Sequence, residues 1–229
     1  MSLNHSPSIV ANGLVLYLDA ANRKSYPGSG TTWIDLSGNK NNGTLVNSPS
    51  YGSDNGGNLV FNGTTQWIKV GTNLDPYFSS TAVTLSVWVY PTQYGQIVDE
   101  LAGSGWHDSQ IDMLGNGTFA FRLWNSTASV SSLSYSLNNW YNLVLSYNGT
   151  TKNCYVNGVL VSTQNESRAA PYYSGSVGLY YGLMISDTTS NGITSYGGGK
   201  ISTFMVYNRQ LGTAEVQQNF NALRGRYGI

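Results

Sequence analysis

The 229-residue sequence predicts a single all-β domain of sandwich or barrel type, with one helix near its end. Three observations predict it. Short apolar segments alternate with period two. Asn-Gly dipeptides occur eight times and punctuate those segments. One apolar stripe of helical spacing stands alone near the C-terminus.

The elements follow in order. Leu14, Leu16 and Leu18 share one face of a first strand. Val83, Leu85, Val87 and Val89 share one face of another, with Thr84, Ser86, Trp88 and Tyr90 opposite. Phe119, Phe121 and Leu123 alternate with Ala120, Arg122 and Trp124. Further strands are expected at 66–70, 96–100, 110–114, 176–181 and 201–207. Asn and Gly tolerate the positive φ that a type I′ turn requires. Asn157-Gly158 therefore predicts a hairpin between Cys154-Tyr155-Val156 and Val159-Leu160-Val161, and strand 141–147 makes it a three-stranded meander. Val216, Phe220 and Leu223 recur at i, i+4 and i+7, predicting a helix over 213–224 that docks over an open end of the sandwich. Glu215 early and Arg224 late suit the helix dipole, and Gly225 is expected to break the helix. No linker or fixed-period repeat divides the chain, so residues 1–12 read as an extension and 13–229 as the domain.

Composition narrows the function. Charged residues make up 10% and cancel to zero net charge. With no basic stripe to neutralise phosphates, neither nucleic acid nor an anionic membrane surface is an expected partner. No apolar run is long enough to span a bilayer. The opening Met1-Ser2-Leu3-Asn4-His5 has neither a basic nor an apolar region, so no signal peptide is expected. A lone Cys154 excludes an internal disulfide, and alternation with Val156 reads it as a buried small hydrophobe. Uncharged polar side chains dominate, with 17 Tyr and 6 Trp. Such rings serve cores and contact surfaces alike.

The order of segments carries a resemblance. Gly13-Leu14-Val15-Leu16-Tyr17-Leu18-Asp19 is followed by Trp33-Ile34-Asp35-Leu36-Ser37-Gly38-Asn39 and Leu59-Val60-Phe61-Asn62-Gly63. Leu85-Ser86-Val87-Trp88-Val89-Tyr90-Pro91, Trp140-Tyr141-Asn142-Leu143-Val144, Tyr155-Val156-Asn157-Gly158 and Val206-Tyr207-Asn208-Arg209-Gln210-Leu211 complete the series. This series resembles laminin-G-like domains of the concanavalin A-like lectin/glucanase superfamily. The ending Gln218-Asn219-Phe220-Asn221-Ala222-Leu223-Arg224-Gly225-Arg226-Tyr227-Gly228 resembles copies common in phage virion proteins, especially tail and fibre proteins. The resemblance implies a two-sheet antiparallel jelly-roll sandwich with one short C-terminal helix, calcium in many members, and glycans or protein surfaces as ligands. It implies no single activity. Two departures stand out. Gly199-Lys200-Ile201-Ser202-Thr203-Phe204 lacks the family's carboxylate before the last strand, which weakens a calcium site there. Gly212 stands at the helix N-cap, where Ser is usual in the family.

Three sites are expected or weighed. Asp35, Ser37, Asn39 and Asn41 alternate along one loop, and short oxygen ligands at that spacing can wrap Ca²⁺. Asp35, Asn39 and Asn41, with Asp19, are the candidate ligands; the same spacing also fits an Asx-rich turn bonding its own backbone. For catalysis, a retaining glycosidase needs two carboxyl groups about 5 Å apart. The chain holds three Glu, at 100, 166 and 215, and none sits on an acid-alternating strand. Adjacent Asp99 and Glu100 point to opposite faces of a strand, so no catalytic residue is assigned. A lyase or glycosidase of the same fold is the weaker alternative. For glycan binding, the Gly-rich loop before Trp106, His107 and Asp108 offers an aromatic face with polar edges, and Tyr94, Trp124, Tyr180 and Tyr181 can complete the surface. The sequence therefore favours a non-catalytic recognition domain on a virion or in the extracellular space, binding a glycan or host-surface receptor. A structural virion protein that packs against other virion proteins or itself is the alternative, since Tyr and Trp also mark interfaces.

Overall fold

A computed structural model describes residues 7–71, 73–78, 81–102, 106–123, 129–166, 179–185 and 196–229, without side chains at 102 and 106–109. Among these residues the strands are β1 (Leu14–Asp19), β2 (Thr32–Trp33), β3 (Gly43–Val46), β4 (Ser50–Gly52), β5 (Asn58–Asn62), β6 (Trp67–Val70), β7 (Val83–Gln93) and β8 (Gly95–Ala102). They continue with β9 (Trp106–Met113), β10 (Phe119–Phe121), β11 (Ser129–Val130), β12 (Tyr141–Tyr147), β13 (Thr151–Val156), β14 (Val159–Asn165), β15 (Leu179–Leu183) and β16 (Gly198–Tyr207). One helix follows, α1 (Thr213–Leu223).

The strands form two eight-stranded antiparallel sheets. The first runs β14-β13-β12-β7-β16-β5-β4, with β1 also paired to β16, and the second runs β11-β10-β9-β8-β15-β6-β3-β2. The apolar parity of each strand sets which face turns inward. Val83, Leu85, Val87 and Val89 of β7 meet Leu143 and Leu145 of β12 and Phe204 and Val206 of β16 in one cluster. Ile68, Val70, Val98, Ile111, Met113, Phe119 and Phe121 of the second sheet close that cluster from the other side. Cys154 lies fully buried within it. The 157–158 hairpin forms as expected, with Asn157 at φ 51° and Gly158 at φ 74°. The expected strand at 176–181 falls partly outside the described residues, which enter it at Leu179.

The helix docks elsewhere than expected. It covers the outward face of the first sheet rather than an open end, because β7 presents Trp88 there and β16 presents Met205 and Tyr207. These join Tyr155, Val216, Leu223 and Tyr227 in a second apolar cluster. Trp88 stacks on Tyr227 at 4.0 Å and on Phe220 at 5.6 Å between ring centroids. Polar residues of the same face hold the approach to the helix. Thr84 Oγ1 donates to Arg209 O and accepts from Leu211 N–H, and Ser146 Oγ donates to Leu211 O. The Glu215 carboxylate accepts the Gly212 N–H at 3.0 Å, so a glycine cap suffices. Gly225 does not break the helix. The helix ends at Leu223 and the chain tightens into one 3-10 turn, Arg224–Arg226, because Arg226 is drawn back to Asp19. Residues 7–12, expected as an extension, are pinned to the same layer: Asn219 accepts the Val10 N–H at 2.8 Å and the Tyr207 hydroxyl donates to Val10 O at 3.0 Å.

Candidate functional site

The two sheets differ in what their outward faces carry. That of the first sheet carries an apolar cluster covered by α1 and the turn after it. On the second sheet, strand register places paired residues in rows across the strands, and residues paired in register share a face. One row runs Gln96–Asp112–Ala120–Val130 and the next Asp99–Gly182–Lys69–Thr44. A third pairs Tyr180 with Leu101, which also pairs with His107. Each row alternates with core residues such as Val98, Ile111 and Leu183, so these rows face away from the first sheet. This face therefore carries polar and aromatic groups.

Gln96, Asp99 and Asp112 are buried on this face. The Asp112 carboxylate forms an ion pair with Arg122. The Lys69 ammonium sits over the Tyr180 ring, 4.3 Å from its centroid. Ile185 and Leu101 fill the space a side chain at 182 would need, which is why glycine stands there. Two register shifts in the β8–β9 pair, one between Gln96 and Val98 and one between Val98 and Asp99, set Gln96 and Asp99 on one face although they are three residues apart. A bulge changes which residues share a face.

The expected binding residues do not all gather. Register sets His107 and Tyr180 in one row, while Trp106, Asp108 and Tyr181 take positions of the alternate parity. The side chains of Trp106, His107 and Asp108 lie outside the description, and so does Trp124. Tyr94 is 42% exposed at the β7–β8 turn. It directly precedes β8, seven residues or about 23 Å along the strand from Leu101, so Tyr94 and Tyr180 mark opposite ends of the strands. Tyr181 is a core residue instead of a contact residue. It is 1% exposed and meets Phe204 edge-on at 5.8 Å. Burial, with the Glu100 carboxylate nearby, pushes its phenol well above the ordinary range. Sequence reading missed Lys69, Gln96 and Arg122 as members of this face. For Lys69 the signal is the pairing of β6 with the distant β15, and for Gln96 and Arg122 it is the register of the consecutive strands β8, β9 and β10.

The expected calcium ligands do not fit a metal ion. Asp19 accepts from Arg226 at 2.8 and 2.9 Å, from the Tyr17 hydroxyl at 2.9 Å and from the Ala21 N–H at 3.0 Å. Asp35 accepts from the N–H groups of Tyr17, Ser37 and Asn41 and from the Ser37 hydroxyl. An ionised carboxylate offers about four acceptor sites; four donors fill those of Asp35, and three donors make four contacts on Asp19. Asn39 and Asn41 both turn their amide N–H toward Val15 O, at 2.9 and 3.1 Å. The loop is an Asx-rich clasp on β1.

A family model described as the concanavalin A-like lectin/glucanases superfamily matches residues 62–217. The chain belongs to that superfamily. No curated protein sequence matches it. Solved structures of this lectin/glucanase fold include Trypanosoma rangeli sialidase in complex with sialic acid, at 17% identity and a TM-score of 0.68, covering 97% of this chain and 36% of that one. Domain 4 of an extracellular arabinanase from Geobacillus stearothermophilus, solved with arabinotriose, matches at 16% identity and a TM-score of 0.62, over 90% of this chain and 97% of that one. A botulinum neurotoxin type C structure concerned with two ganglioside molecules matches at 16% identity and a TM-score of 0.64, over 93% and 52%. The chain thus spans about a third of the sialidase and half of the toxin chain. At such identities the likeness is one of fold.

Proposed function

We propose that the chain is a non-catalytic carbohydrate-recognition domain that binds glycans on the outward face of its second sheet. The observation that carries this is the Lys69–Tyr180 pair on a polar face that no helix of the described residues covers, whereas α1 covers the apolar cluster on the outward face of the first sheet. Sugars present apolar C–H faces and many hydroxyls, and an aromatic ring beside fixed donors and acceptors suits both. Lys69 also bears on ligand charge. The strand lysines Lys152 and Lys200 pair with Glu166 and Asp54, whereas Lys69 pairs with no carboxylate among the described residues. The proposal therefore includes glycans that carry an anionic group, which Lys69 meets by a charge-assisted hydrogen bond.

The non-catalytic part has its own support. Asp99 and Glu100 occupy consecutive positions of β8 and so opposite faces, and Asp112 is tied to Arg122. The named ligands of the neighbouring structures, sialic acid, arabinotriose and gangliosides, support glycan binding in general. The phage-like C-terminal run supports a setting on a virion surface, outside the host cell.

A glycan array with neutral, carboxylated and sulfated members tests this. The expected result is binding with a preference for acidic members. Tyr180→Ala should weaken it about fivefold to tenfold, and Lys69→Gln should remove the acidic preference at unchanged melting temperature. Binding to no glycan overturns carbohydrate recognition. Binding that ignores both substitutions overturns the site.

A further inference from the structure

We infer that Asn12–Gly13 is a built-in modification site, the one among the described Asn-Gly links at which the folded protein ages to isoaspartate. The chemistry needs an asparagine whose side-chain carbonyl carbon can meet the next residue's backbone nitrogen. The Gly13 nitrogen attacks Asn12 Cγ and forms a cyclic imide. The amide nitrogen leaves as ammonia, taking the proton that Gly13 loses. Water then adds to either imide carbonyl and opens the ring to aspartate or isoaspartate. The only co-reactant is water, and glycine favours the step because it has no side chain to hinder the attack.

All the Asn-Gly links share this sequence feature, and only the fold distinguishes them. In six of the seven described links the asparagine side chain is held away from its neighbour. Asn42 Oδ1 accepts the Asp35 N–H at 3.0 Å and Asn55 Oδ1 accepts the Trp140 indole N–H at 3.0 Å. Asn62 Oδ1 accepts the N–H groups of Thr64, Thr65 and Gln66. Asn116 holds Thr118 N–H, Asn148 holds Thr150 and Thr151, and Asn157 holds the Asn142 N–H. Asn12 is exposed, and its side chain makes no hydrogen bond among the described residues. The Gly13 N–H likewise has no acceptor there, since the turn is closed by Leu14 N–H on Ala11 O at 3.1 Å. Breaking even one retaining hydrogen bond slows a pinned site about fivefold to tenfold.

The link is also placed to matter. Arg209 Nε donates to Asn12 O at 3.0 Å, and the Asn208 N–H donates to Gly13 O at 2.9 Å. Isoaspartate inserts an extra main-chain methylene between those two acceptors. It thereby loosens the grip of the segment before β1 on the loop that leads into α1.

Incubation of the folded chain in mildly alkaline buffer, followed by peptide mapping that separates asparagine, aspartate and isoaspartate, tests the inference. Isoaspartate at position 12 should accumulate at least about fivefold faster than at 42, 55, 62, 116, 148 or 157. In urea the seven rates should converge, and Asn12→Gln should abolish the reaction at position 12. Equal or faster reaction at any of the six pinned sites in the folded chain overturns the inference, as does a rate order that urea leaves unchanged.

Discussion

Replacement of Arg226 by alanine should loosen the C-terminal layer from the sandwich. Asp19 is 1% exposed at the end of β1, and both its oxygens accept from Arg226 Nη1. Removing one partner of a buried ion pair costs about 3–5 kcal/mol, because the other charge stays buried and less well satisfied. Two facts reduce that figure here. The Arg226 side chain is 32% exposed, and Asp19 keeps the Tyr17 hydroxyl and the Ala21 N–H. A loss of about 2 kcal/mol remains, which for a domain of this size lowers the melting temperature by about 4–8 °C. Urea unfolding followed by tryptophan fluorescence is the assay. Trp88 and Trp140 both contact Tyr227, at 4.0 and 4.7 Å, and so report on the same layer. A double-mutant cycle with Asp19→Asn isolates the pair. A loss below about 0.5 kcal/mol for Arg226→Ala, or strict additivity in the cycle, refutes the assignment of this pair as the clasp.

Two further outcomes follow from buried groups. Burial pushes the Cys154 thiol up from 9.0 to about 12, so it should resist a thiol reagent at pH 8 until the chain unfolds; prompt labelling of the native protein contradicts the placement. Because the folded pKa lies above the unfolded one, the stability this thiol contributes is complete below about pH 9 and is lost as pH rises toward about 12. Replacing Cys154 by alanine should remove that alkaline loss and cost about 1 kcal/mol in the core at neutral pH, read by urea unfolding across that pH range. Trp88→Ala strips the ring that Phe220 and Tyr227 stack on, and should cost about 3–5 kcal/mol. A change within about 1 kcal/mol by chemical denaturation would show that α1 does not need this contact.

Much of the fold is legible in the chain because strand parity and turn chemistry are local. The Val83–Val89 alternation, the positive φ of the Asn157-Gly158 turn and the stripe through Val216 and Leu223 each act within a few residues, and each appears as read. Parity also shows that Trp88 turns away from Val87. It does not show what covers Trp88, because Tyr227 meets it from the far end of the chain. The Asx loop is half legible. Its oxygens are visible in sequence, but the N–H donors that saturate Asp35 come partly from β1, eighteen residues earlier.

The sequence by itself determined an antiparallel sandwich with one terminal helix, since hydrophobic period and turn residues specify elements without reference to distant partners. The tertiary structure alone decided which outward face α1 covers and which carries the polar rows. Two bulges shift parity between β8 and β9, and Lys69 and Tyr180 meet only because β6 pairs with β15 across more than a hundred residues. Register between distant strands is a property of the assembled sheet, so the composition of that face is fixed only when the sheet closes.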